Sequence, residues 1–280
     1  MFVNPGKEPM RIRNRSARIS TIVGAGILAA SIATAAIAGN GLAQADANKG
    51  PVTPRIANGE DAADGAYPFA VKFTMTDIPK PDGSTYDSAC SGALVAPRWV
   101  ITAGHCFHDV DRNPVDGPPQ YGATTATVGV TDLSDDGGQT VDVVDVKQNP
   151  DTDMALAKLS KPIRGIHPLA LNTRAAHAGD IVRLAGWGAT SADGKPTTHL
   201  QTGQFKVTRQ DDASVYVTGY KPSPDTSACP YDSGAPYFAE THAGPRLVAV
   251  ESEGPDCPHA SDETISRVDN HVDWIEQNIS

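Results

Sequence analysis

The chain has 280 residues, with 33 acidic side chains against 23 basic ones and a formal charge of −10 with histidines neutral. The imbalance sits after residue 55, where 31 Asp and Glu face 16 Lys and Arg. Such a surface repels nucleic acid and anionic membranes, and excludes them as partners on charge alone.

In chain order, the first element is "MRIRNRSAR", which carries Arg11, Arg13, Arg15 and Arg18 and leads into an uncharged apolar run from Ile19 to Gly39. "LAQA" at 42–45 then supplies small residues for cleavage after Ala45. A basic start, an apolar run and a small-residue exit predict a secretory signal over 1–45 and a secreted, extracellular product. The apolar run also has the length of about 20 residues that a retained membrane anchor needs. Once the signal is removed, no comparable run remains to hold the protein stably at a membrane. "DANKGPVTPR", 46–55, is polar and rich in Pro and Gly, as a linker or propeptide would be.

Residues 56–280 are numerous enough to bury one large or two small cores. "IANGEDAADGAYPFAVKFTM" is a turn-rich opening followed by an apolar run ending at Met75, and "TDIPKPDGSTYDS", 76–88, reads as a loop. Short strands are predicted at Ala93–Val95 and Trp99–Thr102 on either side of Pro97. "TATVGV" at 125–130 and "TVDVVDVKQ" at 140–148 show β-branched alternation. "DMALAKL", "DIVRLAGWG", "LQTGQFKVT", "SVYVTGY", "APYFAE" and "PRLVAVES" continue the pattern, each bounded by turn residues. Many short strands at this spacing imply an all-β barrel or sandwich. The end differs: Val268, Val272, Ile275 and Ile279 share one helical face, with Ser266 or Asp269 available to cap it.

Three polar residues stand at the edges of separate strand-like runs: His105 in "TAGHC", Asp153 in "DTDMALAKL" and Ser233 in "CPYDSGAPYF". Taken singly they read as a buried histidine, a turn aspartate and a turn serine. Together they supply the hydroxyl, the imidazole and the orienting carboxylate of nucleophilic acyl transfer. The cysteines number four, at 90, 106, 229 and 257, and an even count in an exported chain suggests two disulfides with three possible pairings. A metal site at His105, Cys106 and His108 lacks a second ligand cluster, so no metal or other cofactor is expected. "LSDDGG", 133–138, reads as an acidic turn.

These motifs resemble those of the trypsin-like, or chymotrypsin-fold, serine proteases, and secreted bacterial members in particular. The resemblance covers roughly 56–280 and includes "GWG" at 186–188 and the closing "ISRVDNHVDWIEQNI". It implies two six-stranded antiparallel β-barrels with a C-terminal helix, forming one peptidase domain over 56–280. It puts the catalytic roles on His105, Asp153 (not Asp151) and Ser233, and the oxyanion donors on the backbone N–H groups of Tyr231 and Ser233. It pairs Cys90 with Cys106 and Cys229 with Cys257, worth on the order of 3 kcal/mol each if strain is small. It implies a zymogen whose propeptide, 46–55, is cut between Arg55 and Ile56, freeing an ammonium on Ile56 that pairs with Asp232. Without that pair, Asp232 reads as the cap of a local turn. The expected partners are peptide or protein substrates and an activating protease, and the expected state is a monomer.

The sequence departs from the family pattern at several positions. Tyr231 and Ala235 replace usual glycines. Ser227, with Ala228 beside it, lies where a preference for Arg or Lys normally rests on an aspartate. The matching pocket wall contains Ser252, Glu253 in place of a usual tryptophan, and Gly254, and Glu263 falls near another wall position. One or both carboxylates attract a basic substrate residue, or both face solvent. The expected activity is secreted serine endopeptidase. The alternative is a weak or inactive protease homologue that acts as a secreted binding or regulatory protein, its cleft reshaped by Tyr231 and Glu253.

Overall fold

The computed structural model describes residues 56–280. The signal expected over 1–45, the propeptide over 46–55 and the Arg55 side of the cut therefore lie outside the described residues. The strands, in chain order, begin with β1 (Glu60–Asp61), β2 (Ala70–Pro79), β3 (Thr85–Ala96) and β4 (Trp99–Thr102). After a 3-10 turn at Gly104–Cys106 come β5 (Ala123–Val128), β6 (Gln139–Gln148), β7 (Ala155–Leu159) and β8 (Ala170–Leu171). The second half holds β9 (Ile181–Gly186), β10 (Gln201–Gln210), β11 (Ser214–Lys221), β12 (Pro236–Thr241), β13 (Gly244–Glu253) and β14 (Glu263–Arg267), and then helix α1 (Val272–Ile279).

The strands close into two antiparallel six-stranded barrels, as the resemblance implies. The first runs β2-β3-β4-β7-β6-β5 and closes where β5 returns to β2. The second runs β9-β10-β11-β14-β13-β12 and closes through the β12–β9 pairing; β1 is added on β10 and the short β8 lies parallel to β13. Closure removes the exposed sheet edges that short, β-branched strands would otherwise present. Alternating residues fill each interior. Phe73, Leu94, Ile101 and Leu156 are fully buried in the first barrel, and Phe205, Val217, Tyr237 and Ile265 in the second.

Two expectations need correction. Residues 76–88 do not form a loop throughout: β2 extends to Pro79 and β3 starts at Thr85, so only 80–84 turn. Asp82 Oδ1 accepts the Ser84 N–H at 2.9 Å, Gly83 takes φ +83°, and the buried Ile78 gives the extended hairpin an anchor inside the barrel. The other correction concerns the start of the helix, which begins only at Val272 and has no side-chain cap. Ser266 belongs to β14 and its hydroxyl donates to the Asp153 carbonyl, while Asp269 is paired with Arg267 at 2.7 Å. Ser266 is taken by a tertiary partner and Asp269 by a local one two residues away, and helical periodicity reveals neither.

Candidate active site

β4 delivers the chain into the 3-10 turn that carries His105. The turn is held from two sides. A disulfide joins Cys106 to Cys90 on β3, and the Gln148 amide at the end of β6 donates to the carbonyls of Gly104 (3.1 Å) and Phe107 (3.0 Å). Gly104 is required by space: a Cβ there would lie 2.7 Å from Gln148 Oε1 and 3.0 Å from Asp153 Oδ1.

Asp153 stands just before β7 and grips His105 twice. Its Oδ2 lies 2.7 Å from the imidazole Nδ1, and its Oδ1 accepts the His105 backbone N–H at 2.8 Å. Ser252 Oγ, on β13 of the other barrel, also donates to Oδ2 at 2.6 Å. Burial pushes the Asp153 carboxyl up, but the bonds from His105 and Ser252 outweigh it and hold the group below its ordinary value. Asp151, by contrast, is exposed.

Ser233 arrives on the loop before β12 and is drawn to the first barrel by Ser91, whose N–H donates to the Ser233 carbonyl at 2.9 Å. Gly234 makes that approach possible: it takes φ +81°, and a Cβ would fall 2.0 Å from Thr102 Oγ1. Ser91 also reaches the neighbouring loops, accepting the Trp187 N–H at 2.9 Å and donating to the Tyr231 carbonyl at 3.1 Å. His105, Tyr231 and Ser233 line one cleft. Among the described residues no hydrogen bond joins Ser233 to the His105 ring, and neither the Tyr231 nor the Ser233 backbone N–H has an acceptor.

Tyr231 has kept the backbone of the glycine it replaces, with φ +77°. An L-residue there carries a cost of about 1–2 kcal/mol. Its side chain packs with Ala57, Ala189, Cys229 and Cys257, the two cysteines forming the second disulfide. Asp232 is fully buried and accepts the N–H groups of Gly188 (2.8 Å) and Cys229 (3.0 Å). Desolvation pushes its carboxyl up to about 7, against the pull of those two bonds. Ile56 is also fully buried, and its segment is docked on the same wall: the Ser227 N–H donates to the Ala57 carbonyl at 3.1 Å and Thr226 Oγ1 to the Asn58 carbonyl at 2.9 Å.

The two wall carboxylates part company. Glu253 is exposed. Glu263 is 1% exposed and shares a pocket of about 220 Å3 with Ala228, Ser252, Gly254 and Ser233. Ser227 is buried beside that pocket, its hydroxyl accepting the His259 N–H at 3.3 Å. Among the described residues no group of three or more His, Cys, Asp or Glu is arranged to hold a metal. Cys106 is consumed by its disulfide, and the His108 ring is engaged with the Asp109 carbonyl.

Sequence reasoning missed three participants. Ser252 reads as a pocket-wall residue but also binds Asp153. Ser91 and Glu251 carry no motif at all: Ser91 bridges the loops as described, and the Glu251 carbonyl accepts the Gly234 N–H at 2.8 Å, contacts made by strands that the barrels bring together.

Comparison with known proteins agrees with this architecture. The chain is 28% identical over 244 residues to a trypsin of Saccharopolyspora erythraea, covering 80% of this chain and 98% of that one. It is 26% identical over 270 residues to phenoloxidase-activating factor 3 of Holotrichia diomphalia, covering 80% and 72%. It is also 28% identical to serine protease 56 of Mus musculus, of which it spans only 39%. Among solved structures, human heparin binding protein superposes with a TM-score of 0.62 at 22% identity, over 79% of this chain and 95% of that one, a likeness of fold. The sequence profile of the trypsin family, Trypsin, matches residues 56–275, and the chain belongs to that family.

Proposed function

We propose that the protein is a secreted serine endopeptidase that hydrolyses peptide bonds through an acyl-enzyme on Ser233. The observation that carries this reading is the double grip of Asp153 on His105, which holds the ring in one tautomer and one orientation. Ser233 Oγ attacks the scissile carbonyl as His105 Nε2 takes its proton. The resulting imidazolium is stabilised by Asp153, which stays ionised, and then protonates the leaving amine. Water repeats the sequence to release the acyl group. The unpaired N–H groups of Tyr231 and Ser233 are the donors for the oxyanion, each worth about 3 kcal/mol in the transition state.

Activation would follow a cut between Arg55 and Ile56. The new ammonium would meet a buried carboxylate that, among the described residues, has only backbone N–H partners. Such a pair orders the Ser233 loop rather than adding much stability, because desolvation offsets much of its attraction.

A second reading, a weak or inactive homologue serving as a binding protein, draws on the missing Ser233–His105 bond and on Tyr231 in the cleft. The excess of acidic over basic residues argues against a polyanion as its ligand. One experiment separates the two: the chain cut after Arg55 is treated with a fluorophosphonate probe and a diverse peptide library, alongside Ser233→Ala. Labelling at Ser233, with cleavage lost in the variant, supports the peptidase. Folded protein that neither labels nor cleaves at neutral to mildly alkaline pH is the binding protein, and cleavage that survives Ser233→Ala rejects the mechanism.

A further inference from the structure

Two clefts meet at Ser233. One holds Glu263 and is walled by the second barrel. The other, of about 270 Å3, is walled mainly by the first barrel, with the Cys90–Cys106 disulfide, His105, Tyr86 and Arg112 among its lining residues. Among the described residues that line this other cleft there is no Asp, Glu or Lys. Arg112 therefore supplies its only permanent charge, in a chain whose acidic residues outnumber its basic ones. Tyr86 and Arg112 also line an outer groove beside the β2–β3 turn, so they stand where the two spaces adjoin. The carboxylates of Asp82 and Asp111 line that outer groove and not the cleft.

The position of Arg112 is fixed by its neighbours. Asp109 Oδ1 accepts the N–H groups of Asp111 and Asn113, both at 2.9 Å, and closes the loop that carries it. Within that loop Arg112 takes φ +70°, a left-handed conformation that a non-glycine residue keeps only where its surroundings impose it. Its guanidinium carbon lies 5.4 Å from the centroid of the Tyr86 ring on β3, a cation–π distance. Its Nη1 lies 3.1 Å from His108 Nε2. The other ring nitrogen, Nδ1, faces the Asp109 carbonyl at 2.6 Å and carries the ring's proton, which leaves Nε2 as the acceptor. Burial, foremost, holds the His108 ring below its ordinary value, so it is a neutral partner that does not cancel the guanidinium charge. Among the described residues the Lys and Arg ion pairs belong to Lys147, Arg183 and Arg267, and Arg112 has no carboxylate. The remaining N–H donors of its fork match the two oxygens of a carboxylate.

We propose that Arg112 determines specificity on the leaving side of the cleft, where it takes the carboxylate of an Asp or Glu that follows the scissile bond. The inference deepens the proposed function and rests on it. If the residue before the scissile bond sits in the cleft of the second barrel, the residues after it enter the cleft of the first. His105, which protonates the leaving amine, lines that cleft. Tyr86 and His108 are positioning residues: they hold the guanidinium without neutralising it. The need for such a device follows from the charge of the chain. A surface with excess negative charge repels acidic peptides, and one fixed cation inside the cleft reverses that preference at a single point. Arginine suits the role better than lysine, because its planar fork pairs with a carboxylate through two parallel bonds.

The test reads turnover and binding separately. The best-cleaved library peptide is remade with Glu, Gln or Lys at each position after its cut, and kcat/KM is measured at pH 7.5 with the chain cut after Arg55. At one of these positions Glu should exceed Gln by about fivefold or more, with Lys the poorest, and added salt should shrink the gap. In Arg112→Gln the Glu-to-Gln ratio should fall to about one, whereas Arg112→Lys should keep part of it. For binding, peptide pools that differ only in a fixed Glu or Gln are passed over immobilised Ser233→Ala protein, intact and cut, and the retained peptides are quantified by mass spectrometry. The Glu pool should be retained about fivefold more, and Arg112→Gln in the same background should remove the difference. Thermal unfolding checks each variant; if Arg112→Gln does not fold, the Glu–Gln–Lys series and its salt dependence on the unaltered residue decide. Equal handling of Glu and Gln, or a Glu preference that survives in folded Arg112→Gln, overturns the proposal. Selective retention of the Glu pool without Ser233 labelling or cleavage sinks only the peptidase reading. Cleavage indifferent to Glu, Gln and Lys sinks only this one.

Discussion

Tyr231 shows how a single residue can keep a backbone while changing its chemistry. At φ +77° it presents its N–H from the conformation a glycine would adopt without cost, and packing against the Cys229–Cys257 disulfide offsets the strain. Because the donor in the proposed mechanism is the backbone, Tyr231→Gly is expected to change kcat by less than about tenfold, the scale of one weak contact rather than of a lost oxyanion donor. Steady-state hydrolysis of the best library peptide measures this, and a loss of a hundredfold or more would show that the ring itself is needed. Ser252 makes the opposite case. Its hydroxyl is one of the bonds that hold Asp153 ionised, so Ser252→Ala is expected to lower kcat by about ten- to a hundredfold, corresponding to a charged hydrogen bond of roughly 1.5–3 kcal/mol. Little change in KM would mark the residue as positioning Asp153; a KM effect alone would return it to the pocket wall.

Among the elements, α1 is the least securely tied. It spans only Val272–Ile279, has no side-chain cap, and buries one residue completely, Ile275. A helix of two turns is not stable on propensity alone, so its docking depends on Ile275, with Val272, Trp274 and Ile279 packed half-buried against the same core. Ile275→Ala should destabilise the protein by about 2–4 kcal/mol, through lost transfer energy and the cavity left behind. Denaturant unfolding reads the effect, and a cost under about 1 kcal/mol would mean the helix end is held elsewhere. The Ser233 loop, by contrast, is tied at many points: a disulfide, the Ser91 bridge, the Gly234 fit against Thr102 and the Asp232 carboxylate. Its precision comes from bonds to both barrels rather than from its own conformation.

At the scale of the whole molecule, the buried acids make stability depend on pH and, under the proposed activation, on cleavage. Asp232 is raised to about 7 in the folded chain from an ordinary value near 3.8, so between those two pH values the folded state holds a proton that the unfolded state has released. Stability contributed by that proton is intact below about pH 4 and is lost as pH rises through about 7. An ammonium on Ile56 would lower the Asp232 value and remove this loss. The chain cut after Arg55 should therefore match the intact chain near pH 4 and exceed it near pH 7.5 by only a part of the roughly 4 kcal/mol that the full loss amounts to, because desolvation of the pair offsets much of its attraction. Paired denaturant titrations at the two pH values measure it; a gap that does not widen with pH would dissociate Ile56 from Asp232.

The strand pattern and the turn residues between strands were enough to imply an all-β barrel or sandwich with a helix at the end, because alternation and punctuation are local properties, whereas the division into two barrels came only from the family resemblance of "TAGHC", "DTDMALAKL" and "CPYDSGAPYF". The pairing of His105 with Asp153 was also legible, since motif residues are few and distinctive. Contacts made by ordinary residues were not. Ser266 looked like a helix cap and proved to be a strand residue holding the Asp153 carbonyl, and 76–88 looked like a loop until Ile78 found a buried place in the first barrel. Sequence left Glu253 and Glu263 equivalent, and Glu251 unmarked in a strand. Only the second barrel decided their surroundings: it buries Glu251 and Glu263, while the β-bulge that follows Glu251 carries Glu253, the last residue of β13, into solvent. A side chain's charge is written in the sequence, but its dielectric surroundings and neighbours belong to the tertiary fold.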